Sequence, residues 1–441
     1  MNHPSPTQVH RGARRMHLAW HVLAWLGMAS LLLPLAAYFV LRALLMPLPG
    51  EWTTDVRIGP LEFRAGVPSL VRLATSHWIA PRLDGLSWPT RAGVLQFQWL
   101  DDSDALAVRC APCTLRVRGL GDAPLRLPEV NLTVQRDFSE LQGLVEAGAV
   151  RGSWQGRLTP ERLRVALDIP STPVADGYAL FAANIPELAQ ARIEGRFSLK
   201  AEVTLPNGEL QITPRMEGFA VSGLGTGELA GARSTCGPAP RGERLSTDGW
   251  LARAVIAAED QRFWEHTGYD LREIHAAFTA NQSTRQANAE QALRNASTRG
   301  GSTLPQQLAK LLVTGDERSP ARKLRELLYA ADMEQSLGKA RILHLYMENA
   351  PWGPGICGAQ AAARHYFGRS VKQLTPAQAV WLAAMLHNPG VEAQRWAGRG
   401  QIDLVRARWV AQGVRGITRR ERIALAEDMR LAPLWIIPVR H

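Results

Sequence analysis

A chain of 441 residues, 46% hydrophobic and 21% charged, is long enough for two or three domains and too apolar to be disordered. Its formal net charge of +11 suits nucleic acid, an anionic membrane or a phosphorylated substrate, although an arginine-rich composition carries much of the basicity. Lysine is scarce, so Lys310, Lys323, Lys339 and Lys372, all after residue 300, are more informative than any arginine.

At the N-terminus Arg11, Arg14 and Arg15 precede Met16–Leu41, which holds no Asp, Glu, Lys or Arg and is rich in Leu, Ala, Val and Trp. About 20 such residues span a bilayer, and the arginines predict a cytoplasmic N-terminus. Residues 1–48 are therefore expected to be a cytoplasmic tail and an uncleaved transmembrane helix, with the rest of the chain outside the cytoplasm. A cleaved signal peptide, cut near Ala36 and Ala37, is the alternative.

From 49 to 235 apolar and polar residues alternate, as in GVLQFQWL (93–100), RLRVALDI (162–169) and RFSLKAEVTL (196–205). Period-2 patterning broken by Gly, Pro, Asn and Asp predicts an antiparallel β-rich domain with one buried face. It carries no catalytic constellation and reads as a structural or protein-binding module. Cys110 and Cys113 form a C-x-x-C that has neither a second pair for zinc nor a βαβ frame, so a local disulfide is expected. Cys236 and Cys357 are candidates for a second disulfide, although connectivity cannot be read from sequence.

After residue 236 the apolar spacing turns helical, and 236–400 is expected to be a mainly α domain. Within it, 281–301 is polar and reads as a mobile joining segment. Residues 401–441 are expected to be a basic helical tail. The expected architecture is thus multidomain: transmembrane helix, β-rich domain, helical domain.

The stretch AVIAAEDQRFWEH (254–266) runs an apolar series into Glu259 and Asp260, with Phe263 and His266 one turn on. A carboxylate set against apolar packing has a shifted pKa, which is how an acid or base is prepared. Neighbours on a helix point in different directions, so one carboxylate is expected to face a cleft and the other to orient or cap. GGSTLPQQLAK (300–310) combines glycines with Ser302 and Thr303 at a helix start, a place for anion binding or capping. Capping alone does not call for Gln306, Gln307 and Lys310. RKLRE (322–326) sets Arg322 and Glu326 one helical turn apart with Lys323 beside them. KARILHLYMEN (339–349) puts Tyr346 and Asn349 on one face, and AAARHYFGR (361–369) reads as structural.

In this order the five blocks resemble the glycosyltransferase family 51 domain, the peptidoglycan polymerase module of penicillin-binding proteins and monofunctional transglycosylases. The resemblance covers about 245–390. It implies a lysozyme-like helical fold acting on lipid II by inverting transfer, with undecaprenyl diphosphate released. Glu259 would be the general base and Glu326 would assist at the second site. Lys310, Arg322 and Lys323 would face the pyrophosphate, while Thr303 and Gln307 would hold sugars or phosphates. Asp260, Phe263, His266, Ser302, Gln306, Tyr346 and Asn349 complete the expected substrate-binding set. No cofactor is required by this chemistry; a Mg²⁺ or Mn²⁺ ion would accompany the pyrophosphate, with Glu326 as its expected protein neighbour.

The expected partners are lipid II, the growing glycan strand, the bacterial inner membrane and cell-wall synthesis proteins docked on the β-rich domain, with no nucleic acid. The catalytic domain is expected in the periplasm. No K-T-G follows the five blocks, so a transpeptidase half is not expected. Two residues depart from the family pattern: Pro305 stands where Thr or Ser is usual, and Leu311 where Asn is common. The competing readings are an inactive scaffold and a lytic enzyme.

Overall fold

The computed structural model describes residues 46–58, 61–115, 124–232, 236, 245–288, 300–317 and 319–431, with scattered positions between 25 and 43. Most of the expected transmembrane segment lies outside the described residues. No helix among the described residues is long and apolar enough to cross a membrane.

A hairpin of β1 (Thr53–Ile58) and β2 (Leu61–Gly66) leads into helix α1 (Val67–Ala74). The strands that follow are β3 (Ser87–Thr90), β4 (Gly93–Leu100), β5 (Ala105–Cys110), β6 (Cys113–Leu115), β7 (Leu125–Leu127), β8 (Val130–Asp137), β9 (Glu140–Ala147), β10 (Val150–Leu158) and β11 (Leu163–Pro173). Helix α2 (Val174–Ala179) precedes the two long strands β12 (Arg192–Leu205) and β13 (Glu209–Ser222). Strands β6 and β7 pair with each other, and nine strands form one sheet in the order β13-β12-β11-β10-β9-β8-β5-β4-β3. All its neighbours are antiparallel.

The alternation is the physical cause of this sheet, because successive side chains leave a strand on opposite faces. Strand β10 shows it plainly: Val150, Gly152, Trp154, Gly156 and Leu158 are buried and the residues between them exposed. Trp154 lies opposite Gly143 on β9. A Cβ at Gly143 would meet the indole nitrogen at 2.9 Å, so the missing side chain lets that nitrogen donate to the Thr133 carbonyl at 3.0 Å.

The helical part comprises α3 (Trp250–Glu259), α4 (Leu271–Asn288), α5 (Leu304–Ala309), α6 (Pro320–Ser336), α7 (Gly338–Asn349), α8 (Ala359–Phe367), α9 (Pro376–Met385), α10 (Pro389–Arg399), α11 (Leu404–Gly413) and α12 (Arg419–Leu431). Helix α9 is apolar all round, and Ala377 through Met385 are all buried, as such a helix requires. It packs on α3 and α11.

Two expectations change here. Part of the polar segment 281–301 is helical, since α4 runs to Asn288; residues 289–299 lie outside the described ones. Residues 404–431, expected within a tail, pack into the helical domain; residues 432–441 lie outside the described ones. Ala407, Val410 and Ala411 of α11 and Leu425, Ala426 and Met429 of α12 are buried in the same core as α3 and α9. The apolar stripe on these helices decides this; Arg408 lies on the exposed face, whereas Arg406 reaches inward to the Ala258 carbonyl at 2.6 Å.

The β-rich and helical parts also share that core. Tyr178, Phe219 and Val221 pack within it. The Tyr178 hydroxyl donates to the Leu324 carbonyl at 3.1 Å, and burial pushes its phenol well above the usual range. Buried Glu187 pairs with Arg325 at 2.5 Å. Thr226 donates to Asp332 through its hydroxyl and its backbone N–H. Disulfides join Cys110 to Cys113 and Cys236 to Cys357.

Candidate active site

Helix α3 stops at Glu259 because Asp260 leaves helical geometry (φ −159°, ψ 74°). That break sends the two carboxylates in different directions. Asp260 is buried and works inside the protein. It accepts the backbone N–H of Leu304, the first residue of α5, at 2.9 Å and bonds His266 Nε2 at 2.9 Å. The Gly268 N–H donates to His266 Nδ1 at 3.2 Å, which makes Nε2 the donor to Asp260. Gly268 has φ +92°, and a Cβ there would lie 2.7 Å from the Ala330 carbonyl, so this turn requires glycine. The Lys339 ammonium stands 4.6 Å from the Phe263 ring centre and pairs with Glu334 at 2.7 Å, which ties the fourth block to the first.

Glu259 is turned the other way. Its side chain is 11% exposed. Gln307 Nε2 donates to its Oε2 at 2.9 Å, and Gln307 Oε1 in turn accepts the Tyr346 hydroxyl at 2.9 Å. Oε1 of Glu259 is buried without a hydrogen bond, with Arg406 at 3.6 Å. Burial raises the Glu259 pKa; the Gln307 bond and the Arg406 charge oppose this without cancelling it. Burial and the neighbouring Glu259 charge also hold the Tyr346 phenol well above its usual range.

The second cluster rises from α6. Glu326 is 1% exposed and each of its oxygens faces a cation: Arg322 donates to Oε1, and Lys323 to Oε2 at 2.7 Å. Lys323 also donates to the Ser302 hydroxyl at 2.8 Å. Burial, with Arg322 and Lys310 nearby, lowers the Lys323 pKa to about 8. Lys310 opens the π-helical turn Lys310–Thr314 and pairs at the surface with Asp316 at 2.7 Å. π-helical turns are frequent at functional sites.

Several residues expected among substrate contacts are instead enclosed. Phe263 is fully buried, and Asp260, His266, Thr303, Gln306 and Asn349 are each 8% exposed or less. Thr303 and Gln306 form a reciprocal capping box on α5, and the Thr303 hydroxyl donates to the Gly268 carbonyl at 2.6 Å. The Asn349 amide donates to the Leu345 carbonyl at 2.9 Å. Their polar atoms serve protein partners, so they hold the site's frame. Pro305 is the second residue of α5, where a missing N–H costs nothing. The residues left facing outward from the frame are Glu259, Ser302, Gln307, Lys310 and Lys323, all partly exposed.

A divalent ion does not suit Glu326, because both carboxylate oxygens already face cations. Among the described residues no group of three or more His, Cys, Asp or Glu is placed to hold a metal. Arg406 is the neighbour of Glu259 that the sequence reading missed, having assigned 401–441 to a tail. The signal was present: Leu404, Ala407, Val410 and Ala411 recur at helical spacing and mark a packed helix that carries Arg406 inward.

Residues 244–413 match the family described as Transglycosylase. Three similar proteins are each named biosynthetic peptidoglycan transglycosylase. That of Nitrosomonas eutropha is 44% identical over 139 residues, covering 32% of this chain and 53% of the relative. The Bordetella avium protein is 48% identical over 139 residues, covering 32% and 55%. The Ectopseudomonas mendocina protein is 44% identical over 164 residues, covering 37% and 62%. The matched stretch thus spans between half and two thirds of these relatives, and it lies in the helical part. The stretch that is similar to the transglycosylase family, residues 244–413, holds Glu259 and Glu326 together with the cations Lys310, Arg322 and Lys323.

Proposed function

We propose that the chain is a peptidoglycan glycosyltransferase, anchored in the bacterial inner membrane and acting in the periplasm, which polymerises lipid II into glycan strands. The observation that carries this reading is Glu259: a carboxylate with a raised pKa, one oxygen held by Gln307 and the other without a hydrogen bond. That is the condition of a general base. It takes the proton from the acceptor sugar's 4-hydroxyl as that oxygen attacks the donor's anomeric carbon. The bond from that carbon to the pyrophosphate breaks, undecaprenyl diphosphate leaves with the electron pair, and the configuration inverts.

Negative charge grows on the leaving pyrophosphate, and fixed cations help most there. Lys323 and Lys310 are partly exposed and suited to that task, with Arg322 behind them. Buried Glu326 positions Arg322 and Lys323 and does not itself reach the substrate.

The test is detergent-purified protein with labelled lipid II, products resolved on a gel, beside Glu259→Gln. A ladder of glycan chains that falls by about 10²–10⁴-fold in the variant supports the base assignment. A folded wild type that makes no ladder overturns the activity and leaves a scaffold in its place.

A further inference from the structure

The nine-stranded sheet does not pack its apolar face to the density of a protein interior. Phe97, Val108, Leu132, Val165, Val203 and Leu210 face inward on six different strands, yet each is only half-buried. They line one cavity of about 500 Å³ whose walls come from eight consecutive strands, β4 to β13 in sheet order, with α1 closing one side. Flat, eight strands would spread over about 34 Å, so a single cavity shared by all of them means that the sheet curls around it. Native interiors leave few voids larger than a water molecule.

The wall chemistry identifies the occupant. Only Thr75 and Trp154 among the lining residues carry a polar side-chain atom. The Thr75 hydroxyl donates to the Val71 carbonyl at 2.7 Å and accepts from Arg136 at 2.7 Å, while the Trp154 indole donates to the Thr133 carbonyl. A peptide segment entering here would bury backbone N–H and C=O groups against walls that offer no partner, at a cost of several kcal/mol. A helix about 10 Å across would also fill the space within roughly one turn. A hydrocarbon chain has no groups to satisfy. An apolar cavity of about 150 Å³ holds a benzene, so this one takes on the order of 20 carbons.

A second cavity, about 240 Å³, shares Thr75, Leu106 and Val134 with the first and is polar, lined also by Arg136, His77, Asp104 and Asp137. Phe138 stands at its rim, 87% exposed and held at φ +49° in the turn between β8 and β9. Bulky residues rarely adopt that backbone conformation, and such outliers cluster at ligand clamps. We propose that the β-rich domain binds a single-chain amphiphile, its acyl chain in the apolar cavity and its head in the polar one. The mixed charge there suits a zwitterionic head better than a bare anion.

The experiment uses the full chain in nanodiscs and a lysophosphatidylethanolamine carrying a diazirine on its acyl chain. Irradiation is followed by peptide mapping. Labelling is expected on the inward residues of β5 and β8–β12. Val108→Phe and Ala201→Phe, which fill opposite walls, are each expected to lower it by about tenfold or more, with circular dichroism confirming the fold. Unlabelled lysophosphatidylethanolamine, palmitate and undecaprenyl phosphate serve as competitors. Strongest competition by the lysophospholipid supports the proposal. Competition chiefly by palmitate or by undecaprenyl phosphate assigns the cavity to that lipid and overturns the zwitterionic head. Label spread evenly over a folded chain, unaffected by either fill, or competed by none of the three overturns the site itself.

Discussion

Gln307 holds Glu259 with its amide nitrogen and holds Tyr346 with its amide oxygen, both at 2.9 Å. The chain of bonds fixes the orientation of the amide, since only nitrogen donates to the carboxylate. The bond favours the charged form of Glu259 against the burial that raises its pKa. Replacing Gln307 with Met therefore raises that pKa further. A base works when deprotonated, so the acid limb of the pH profile moves to higher pH, by about one unit for a bond worth about 1.5 kcal/mol. Activity falls at neutral pH and recovers as the pH rises. An unmoved acid limb in kcat/KM would sink this account.

Arg406 acts on Glu259 by charge alone, at 3.6 Å. Its charge opposes the rise in the Glu259 pKa. Arg406→Gln is expected to shift the acid limb upward as well, whereas Arg406→Lys should leave it near the wild-type position. Equal shifts in the two variants would point to lost packing of α11 rather than lost charge.

Lys323 sets the other limb. Its pKa is lowered to about 8, chiefly by burial. The protonated form is the one that meets a diphosphate, so kcat/KM should decline as pH rises through about 8. Arginine keeps its charge throughout this range, so Lys323→Arg removes that decline even if its maximum rate is lower. The measurement is the pH profile of both proteins between 6 and 10, on this physical basis; a decline that persists unchanged in the variant assigns it to another group.

The Cys236–Cys357 disulfide closes a sequence separation of 121 residues and ties Cys236, ahead of α3, to Cys357, two residues before α8. A cross-link over so long a loop removes much freedom from the unfolded chain, typically about 2–4 kcal/mol. The double variant Cys236→Ser, Cys357→Ser should melt several degrees lower, as should reduced wild type. Cys110–Cys113 closes a separation of only 3 and is expected to contribute much less. Calorimetry of the three proteins separates these contributions.

The local pattern carried the architecture. Alternation along GVLQFQWL and RLRVALDI marked strands because a strand's two faces repeat every second residue, and the structure has β4 and β11 there. Helical spacing marked α3, α6, α7 and α9 for the corresponding reason. Each of the five blocks lies largely within one or two turns of a helix or its cap, so its residue types and spacing were legible without knowledge of the rest of the chain.

What the acid pair does was not legible. By itself the sequence determined that Glu259 and Asp260 end an apolar run; tertiary structure decided that Asp260 caps α5 from 44 positions away while Glu259 faces Gln307 and Arg406. Desolvation and ion pairing depend on groups brought in from distant parts of the chain, and periodicity reports only neighbours within a turn or two. The same reason hid Arg406, which lies 148 positions from the Ala258 carbonyl that it bonds. It also hid the cavity: alternation says which residues face inward, but only the curl of the whole sheet decides whether they meet one another or leave a space between them.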